Sequence, residues 1–284
     1  MSVFTGYSGG AGSLVDALLG PQAGLQIVPG SVVYSGASGA VSYYDGSIAQ
    51  LGMAAGILLT TGDGTPQTSN TASNYGVSNG TAGDAQLTAA VQAAFSQAGA
   101  TYDAASLSFS FTVTDPATRY ISFNVVFGSD EYPEYSDAIV DIAGVFVNGV
   151  NVALFNADPS RPLSVLKKNE VDGGFAANQN VGIEYDGLSK VLTIVAPVVA
   201  GVNTIKIAIA DTNDSILDSG IFIAGLRALN ISGCDLSGIY KSVVDEDHGV
   251  NGAEARVGLD SIAARTFYEL TAVGGSGGNG GQFG

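Results

Sequence analysis

An all-β fold is what this sequence predicts: a jelly-roll-like antiparallel β-sandwich with one or two short helices and a glycine-rich tail. Three observations carry that reading. Residues 106–114 and 120–127 alternate apolar and polar side chains, with Leu107, Phe109, Phe111 and Val113 on one face and Ile121, Phe123 and Val125 on another. Period-two alternation is the signature of a strand with one buried face. Asn148-Gly149 sits between short apolar runs, as a two-residue hairpin turn does when both positions need positive φ, and Asp186-Gly187 marks a second hairpin with a slightly longer loop. Helical periodicity is confined to two short stretches, and no repeat of about 20–50 residues is visible.

Taken in order, residues 13–19 space their apolar side chains as a short amphipathic helix that Gly20-Pro21 ends. Residues 25–33 read as a strand running towards Gly36. Residues 57–61 read as a short apolar strand stopped by Gly62-Asp63-Gly64. Residues 65–83 are rich in Ser, Thr, Asn and Gly and poor in apolar residues, hence a long surface loop. Residues 84–98 form the second helix candidate. Asp84 is placed to cap it, Leu87, Ala90, Val91, Ala94 and Phe95 make its stripe, and Gly99 stops it. After the 106–114 strand, Asp115-Pro116 turns the chain into 120–127. Residues 143–147 and 150–155 flank the first hairpin turn, and 181–185 and 191–196 flank the second. Strands at 203–210 and 221–228 complete a set of about ten.

The sandwich is expected to occupy residues 1–233. From Cys234 the texture changes: residues 243–248 are polar and charged, and 274–284 are dominated by glycine. Residues 234–284 therefore read as a C-terminal extension for assembly or sorting.

The chain has 284 residues, with 26 acids against 10 bases and a net charge of -16. Such a balance disfavours nucleic acid, whose phosphates need clustered Lys and Arg. Lys167-Lys168 is too small a patch to change that. Only 13% of residues are charged while 46% are hydrophobic, against about a quarter charged in an average soluble domain. Apolar surface covered by neighbouring copies would account for this. Cys234 is the single cysteine, so an intrachain disulfide is excluded and a small buried hydrophobe is its simplest role. No segment reaches the about 18 apolar residues of a membrane span. Residues 1–12 contain no basic residue and no apolar core, and do not read as a cleavable signal.

The densest chemistry follows the 120–127 strand. Asp130, Glu131, Glu134 and Asp137 lie within eight residues, interleaved with Tyr132, Pro133 and Tyr135. Acids so close together repel unless something positive lies between them. A second acidic segment, with Asp211, Asp214 and Asp218, follows the 203–210 strand. If both strands end on the same side, Asp130, Glu131, Asp211 and Asp214 converge. Ca²⁺ is the expected ligand, because it takes about six to eight oxygens from carboxylates and carbonyls. Asp137 and Asn213 are further candidate ligands. Mg²⁺ fits less well, since it demands strict octahedral geometry, and Zn²⁺ is disfavoured with one His and one Cys. The bland reading is that these Asp and Asn side chains close turns, which suits Asp218 best.

Several of these segments, in this order, resemble the bacterial choice-of-anchor L domain family. The resemblance rests on Leu14-Val15-Asp16-Ala17-Leu18-Leu19, Gly56-Ile57-Leu58-Leu59-Thr60-Thr61-Gly62 and Gly83-Asp84-Ala85-Gln86-Leu87. It continues through Tyr102-Asp103-Ala104-Ala105-Ser106-Leu107, the Phe127–Tyr135 acidic segment, Phe146-Val147-Asn148-Gly149 and residues 209–223. It spans roughly residues 12 to 230 and implies an exported, surface-displayed or matrix β domain with no catalytic activity to transfer.

Enzymatic readings find little support in the residues. A glycosidase needs two acids about 5–9 Å apart in a cleft, and Asp130 or Glu131 with Asp211 would have to supply them, yet the chain has no Trp to line a sugar cleft. A Ser-His-Asp triad would have to use His248, the single His, which lies in an acidic segment beyond the sandwich. Gly9-Gly10-Ala11-Gly12-Ser13 lacks the Lys of a phosphate loop. The expectation is therefore a secreted or surface-displayed structural protein, not an enzyme. It would bind Ca²⁺ and self-assemble into a filament, sheath or biofilm matrix. The segments around Phe4, Tyr7, Phe267, Tyr268 and Phe283 would add to a neighbour's sheet edge. The alternative is a monomeric adhesin domain that binds surface glycans through Tyr132 and Tyr135.

Overall fold

The computed structural model describes residues 2–20, 22–72 and 74–229. The expectations placed on residues 234–284, including Cys234, His248, Phe267, Tyr268 and Phe283, lie outside the described residues. The rest is an all-β antiparallel sandwich, as the alternation predicts. One sheet runs β1 (Phe4–Gly6), β4 (Val41–Tyr44), β5 (Gly56–Thr60), β15 (Ser219–Leu229), β7 (Tyr120–Ser129), β12 (Gly187–Ser189) and β11 (Phe175–Ala177), with β13 (Leu192–Pro197) also on β7. The other runs β10 (Leu163–Ser164), β8 (Ile142–Val147), β14 (Asn203–Thr212), β6 (Thr101–Val113) and β2 (Leu25–Ile27). In it β3 (Val33–Ser35) also pairs with β6, and β9 (Val150–Asn151) with β8. From β5 on, the long strands alternate between the sheets, the interleaving expected of a jelly roll.

The inward faces are those the alternation named. Leu107, Phe109 and Phe111 of β6 meet Ile121, Phe123, Val125 and Phe127 of β7 in the main core. Both sheets are also covered on their outer faces. Helix α2 (Ala85–Ala94) lays Leu87 and Val91 on Ile142, Ala208 and Ala210. Phe4, Tyr44, Leu58, Tyr185 and Phe222 pack together outside the first sheet. Burial on both faces explains why β5 and residues 221–223 read as continuous apolar runs rather than alternating ones. Asp84 caps α2 as expected, accepting from the N–H groups of Gln86 and Leu87, and the helix ends at Ala94, short of Gly99. Helix α1 (Gly12–Leu18) buries Leu14, Val15 and Leu18. A single turn, α3 (Lys167–Glu170), was not foreseen.

Asn148-Gly149 is the tight turn between β8 and β9, with φ of 49° and 84°. The second hairpin is corrected. Residues 181–185 form no strand; Ile183 and Tyr185 are instead buried in the outer cluster. Gly187 opens β12, and an added Cβ would stand 2.6 Å from both Phe175 and Tyr132. That glycine allows close packing rather than a turn.

The site depends on which strand ends meet. Ser129 at the end of β7 pairs with Ser219 at the start of β15. Thr212 at the end of β14 pairs with Thr101 at the start of β6. Ala210 pairs with Ile142 at the start of β8. The connections 130–141, 213–218 and 61–100 therefore share one end of the sandwich. Among the described residues no helix is long and apolar enough to cross a membrane.

Candidate functional site: a buried carboxylate cluster

The two acidic segments do converge, and they bring more acids than their sequence suggests. Asp103, Asp130, Glu131, Asp141, Glu184, Asp211 and Asp218 are all buried, each at 2% exposure or less. Burying an ionised carboxylate is costly unless it is paired or hydrogen-bonded. None of the seven forms an ion pair with a described Lys or Arg; the pairs Arg161–Asp172 and Lys206–Asp84 involve other acids.

What satisfies most of them is the segment read as a surface loop. Residues 62–72 and 74–83 form a strap across this end of the sandwich, and its backbone N–H groups donate to the buried acids. Glu184 Oε1 accepts from Thr71 and Ala72 at 3.1 and 2.6 Å. Asp130 Oδ2 accepts from Tyr75 at 2.5 Å. Asp218 accepts from Asp63 at 3.1 Å and Val77 at 2.9 Å. Asp103 accepts from Asn79 and Thr81 at 2.9 and 2.6 Å and from the Ser78 hydroxyl at 3.0 Å. Asp103 reaches the strap from a β-bulge: between the pairs Ile209–Ala105 and Asp211–Tyr102, β6 sets two residues, Asp103 and Ala104, against the single Ala210 of β14. Its own φ is 45°, and bulges of this kind re-aim side chains near sites.

The other side of the cluster is less well satisfied. Asp141 Oδ1 accepts from Thr212 N–H at 3.0 Å and its Oδ2 from the Ser219 hydroxyl at 2.8 Å, tying the sheets together. Glu131 Oε2 and Asp211 Oδ1 bond nothing, and neither do Asp130 Oδ1, Glu184 Oε2 or the buried hydroxyls of Thr212 and Ser136. Burial first, and then the charge of Asp141, pushes the carboxyls of Glu131 and Asp211 far above the usual range. Burial likewise raises Asp141. It moves Asp130 to about 7 and Asp218 to about 6, against the strap N–H groups that hold them down. Among the described residues, no three His, Cys, Asp or Glu side chains stand ready-made around an ion position.

Of the expected ligands, Asp130, Glu131 and Asp211 are in this cluster, and Asp214 lies beside Glu131 and Asp141 closely enough to act on both electrostatically. Asp214 also closes a local turn through the N–H of Ile216. Asp137 and Asn213 are occupied elsewhere. Asp137 Oδ1 accepts from Lys167 N–H. Asn213 accepts from Gly99 N–H and donates to the Ala138 carbonyl. Asp218 is a long-range anchor rather than the turn-closer it resembled. Tyr132 packs edge-on against Phe175, with ring centres 5.4 Å apart, and Tyr135 is exposed. Phe4 is buried in its own chain, where β1 pairs with β4, and Tyr7 packs against Tyr34.

Asp103, Asp141 and Glu184 were assigned no role from sequence. Asp141 and Glu184 each sit directly between apolar residues, Val140 and Ile142 in one case and Ile183 and Tyr185 in the other. An acid so flanked is drawn inside with its neighbours, and that was the available signal.

Comparison with known proteins agrees with the order of segments along the chain. No curated protein and no solved structure matched. A family model, described as the choice-of-anchor L domain, matches residues 11–226. That span takes in the strap, all seven buried acids and every long strand, and the chain belongs to the choice-of-anchor L domain family, which points to a cell-surface or secreted protein.

Proposed function

We propose that this chain is a non-enzymatic structural module of the cell surface or extracellular matrix, and that Ca²⁺ braces the acidic end of its sandwich. One observation carries the reading: buried carboxylates meet at one end of the sandwich with no ion pair to a described Lys or Arg, and Glu131 Oε2 and Asp211 Oδ1 have no hydrogen-bond partner among the described residues. The free donors there, including the hydroxyls of Thr212 and Ser136, are all oxygens, which suits a hard cation. Glu131 and Asp211 would turn their free oxygens to the ion, while Asp141 and the strap-bound acids hold the frame. Bound Ca²⁺ would neutralise charge that otherwise opposes folding.

Association of copies into a filament or sheath is the larger-scale part of the proposal. It is supported by the low charged fraction of 13% and by Val33 on β3 and Val150 on β9, 56% and 66% exposed on short strands. Exposed edges of this kind are templates for a further strand. Electron microscopy with Ca²⁺ and then with chelator tests both parts. Fibres that disappear on chelation support the reading; dispersed particles in both conditions remove assembly from it.

A further inference from the structure

A second feature lies outside the carboxylate cluster, on the flank of the strap. A groove of about 520 Å³ runs between Asn70-Thr71-Ala72 on one wall and Tyr132-Pro133-Glu134 on the other, with Asp186 in its lining. That volume falls in the range of small-ligand sites. Its chemistry is lopsided. Glu134 and Asp186 both line it, and no Lys or Arg does. Glu134 is exposed, and its carboxylate has no hydrogen bond among the described residues. Asp186 Oδ1 accepts from Asn70 Nδ2 at 2.7 Å, which leaves the second oxygen of Asp186 and the carbonyl oxygen of Asn70 unengaged. The Thr71 and Tyr132 hydroxyls likewise have no hydrogen bond among the described residues. Directly behind the Thr71-Ala72 wall is buried Glu184, which accepts both of their N–H groups. Burial, and the negative charges of Glu134 and Glu184, raise the Asp186 carboxyl, and no described Lys or Arg lines the groove to offset the two acids.

The walls are fixed rather than adaptable. Tyr132 is held against Phe175. Asn178 spends its whole amide on the frame: it donates to the carbonyls of Ile183 and Tyr185 and accepts from Val181 N–H. The groups left over are two carboxylate oxygen sets, an amide oxygen, two hydroxyls and one side of an aromatic ring.

We propose that this groove binds a hexosamine unit carrying a free, protonated amino group, as in a deacetylated amino-sugar polysaccharide. The ammonium sits between Glu134 and Asp186, the ring hydroxyls pair with Asn70, Thr71 and the free oxygen of Asp186, and Tyr132 offers apolar contact to the ring. A Lys side chain would satisfy the carboxylates but leave the hydroxyl-pairing groups idle, and a neutral sugar would leave the paired charges unanswered. The groove uses none of the proposed calcium ligands, but it adjoins them, because the charge of Asp186 acts on Asp130.

The test is titration calorimetry with three probes at about 0.15 M salt, where charges more than about 8 Å away are largely screened. The probes are a tetramer of glucosamine, the same tetramer fully N-acetylated, and tetralysine. Each is run in Ca²⁺ and again in chelator, so a failure of the calcium reading leaves the result standing. The glucosamine tetramer should bind at least roughly tenfold more tightly than either other probe, and Glu134→Gln should weaken it by about tenfold. Asp16→Asn, an equal change of charge at an exposed position on α1 away from the groove, should leave binding unchanged. Equal affinity for the acetylated tetramer or for tetralysine overturns the proposal. So does equal weakening by both substitutions, which would mark bulk attraction to an acidic protein, or no binding of the glucosamine tetramer.

Discussion

Asp103 and Asp211 are both buried at the same end of the sandwich, on adjacent strands, and they solve the same problem in opposite ways. Both oxygens of Asp103 are taken up by the strap, through two backbone N–H groups and a hydroxyl. Asp211 faces Asp141 and keeps one oxygen without a partner. The first carboxylate has its oxygens occupied by fixed donors and serves as an anchor. The second is held in a place where its charge is opposed, and it waits for a proton or a cation. A dense acidic sequence is thus two devices, one that fastens a loop and one that has capacity left for a ligand. The difference lies in which acids the strap reaches.

Substitutions should separate the two devices, and by sign as well as size. The largest effect is expected at the anchor. Asp103→Ala removes the buried acceptor of three part-buried donors and should cost about 3 kcal/mol of unfolding free energy, read from denaturant melts. Asp103→Asn, which keeps an oxygen acceptor, should recover part of it. Next in size is the ion. Ca²⁺ at about a hundredfold over its Kd should add about 2.7 kcal/mol, read as a melting temperature that falls with chelator.

The pH dependence follows in size. Asp130 and Asp218 are raised to about 7 and about 6 in the folded chain, above their unfolded values near 4. A raised acid favours the folded state when protonated. Its contribution is present below the unfolded pKa and is lost as pH rises through the folded one. In chelator, stability should therefore decline between about pH 4 and 7, and Asp130→Asn should flatten part of that decline. With Ca²⁺ present the decline should shrink, because an ion holds the carboxylates charged at less cost. The smallest effect is the most discriminating in sign. In chelator Asp211→Asn removes an opposed charge and should stabilise by about 1 kcal/mol, whereas the same change should abolish the gain from Ca²⁺. If it destabilises as Asp103→Ala does, the two acids are not different devices.

How much of this was legible depends on the range of the interaction that decides it. Strand β6 was readable because it buries one face and alternation is local; β7 was readable from Ile121, Phe123 and Val125, although Val126 on its other face is buried in the outer cluster. The Asn148-Gly149 turn was readable because positive φ at two residues is a local demand. The Asp186-Gly187 pair carried a similar turn signal, but Gly187 answers to Phe175 and Tyr132 packed against it, which no window around residue 187 contains. The meeting of Asp130 and Glu131 with Asp211 and Asp214 needed only one assumption, that two strands end together. The strap needed more. Residues 65–83 look solvated because their side chains are, while their backbone N–H groups are bound by acids from four distant segments. Loop composition reports side chains and says nothing about where backbone donors go.

The central claim is that Glu131 and Asp211 hold capacity for a cation that the strap-bound acids have already used up. Direct titration of Ca²⁺ by calorimetry, comparing the native chain with the Glu131→Gln, Asp211→Asn double variant, tests it most directly. The account predicts saturable binding to the native chain and none at this site in the double variant, which should remain folded. No saturable binding to the native chain, or binding of equal strength in the double variant, would contradict it.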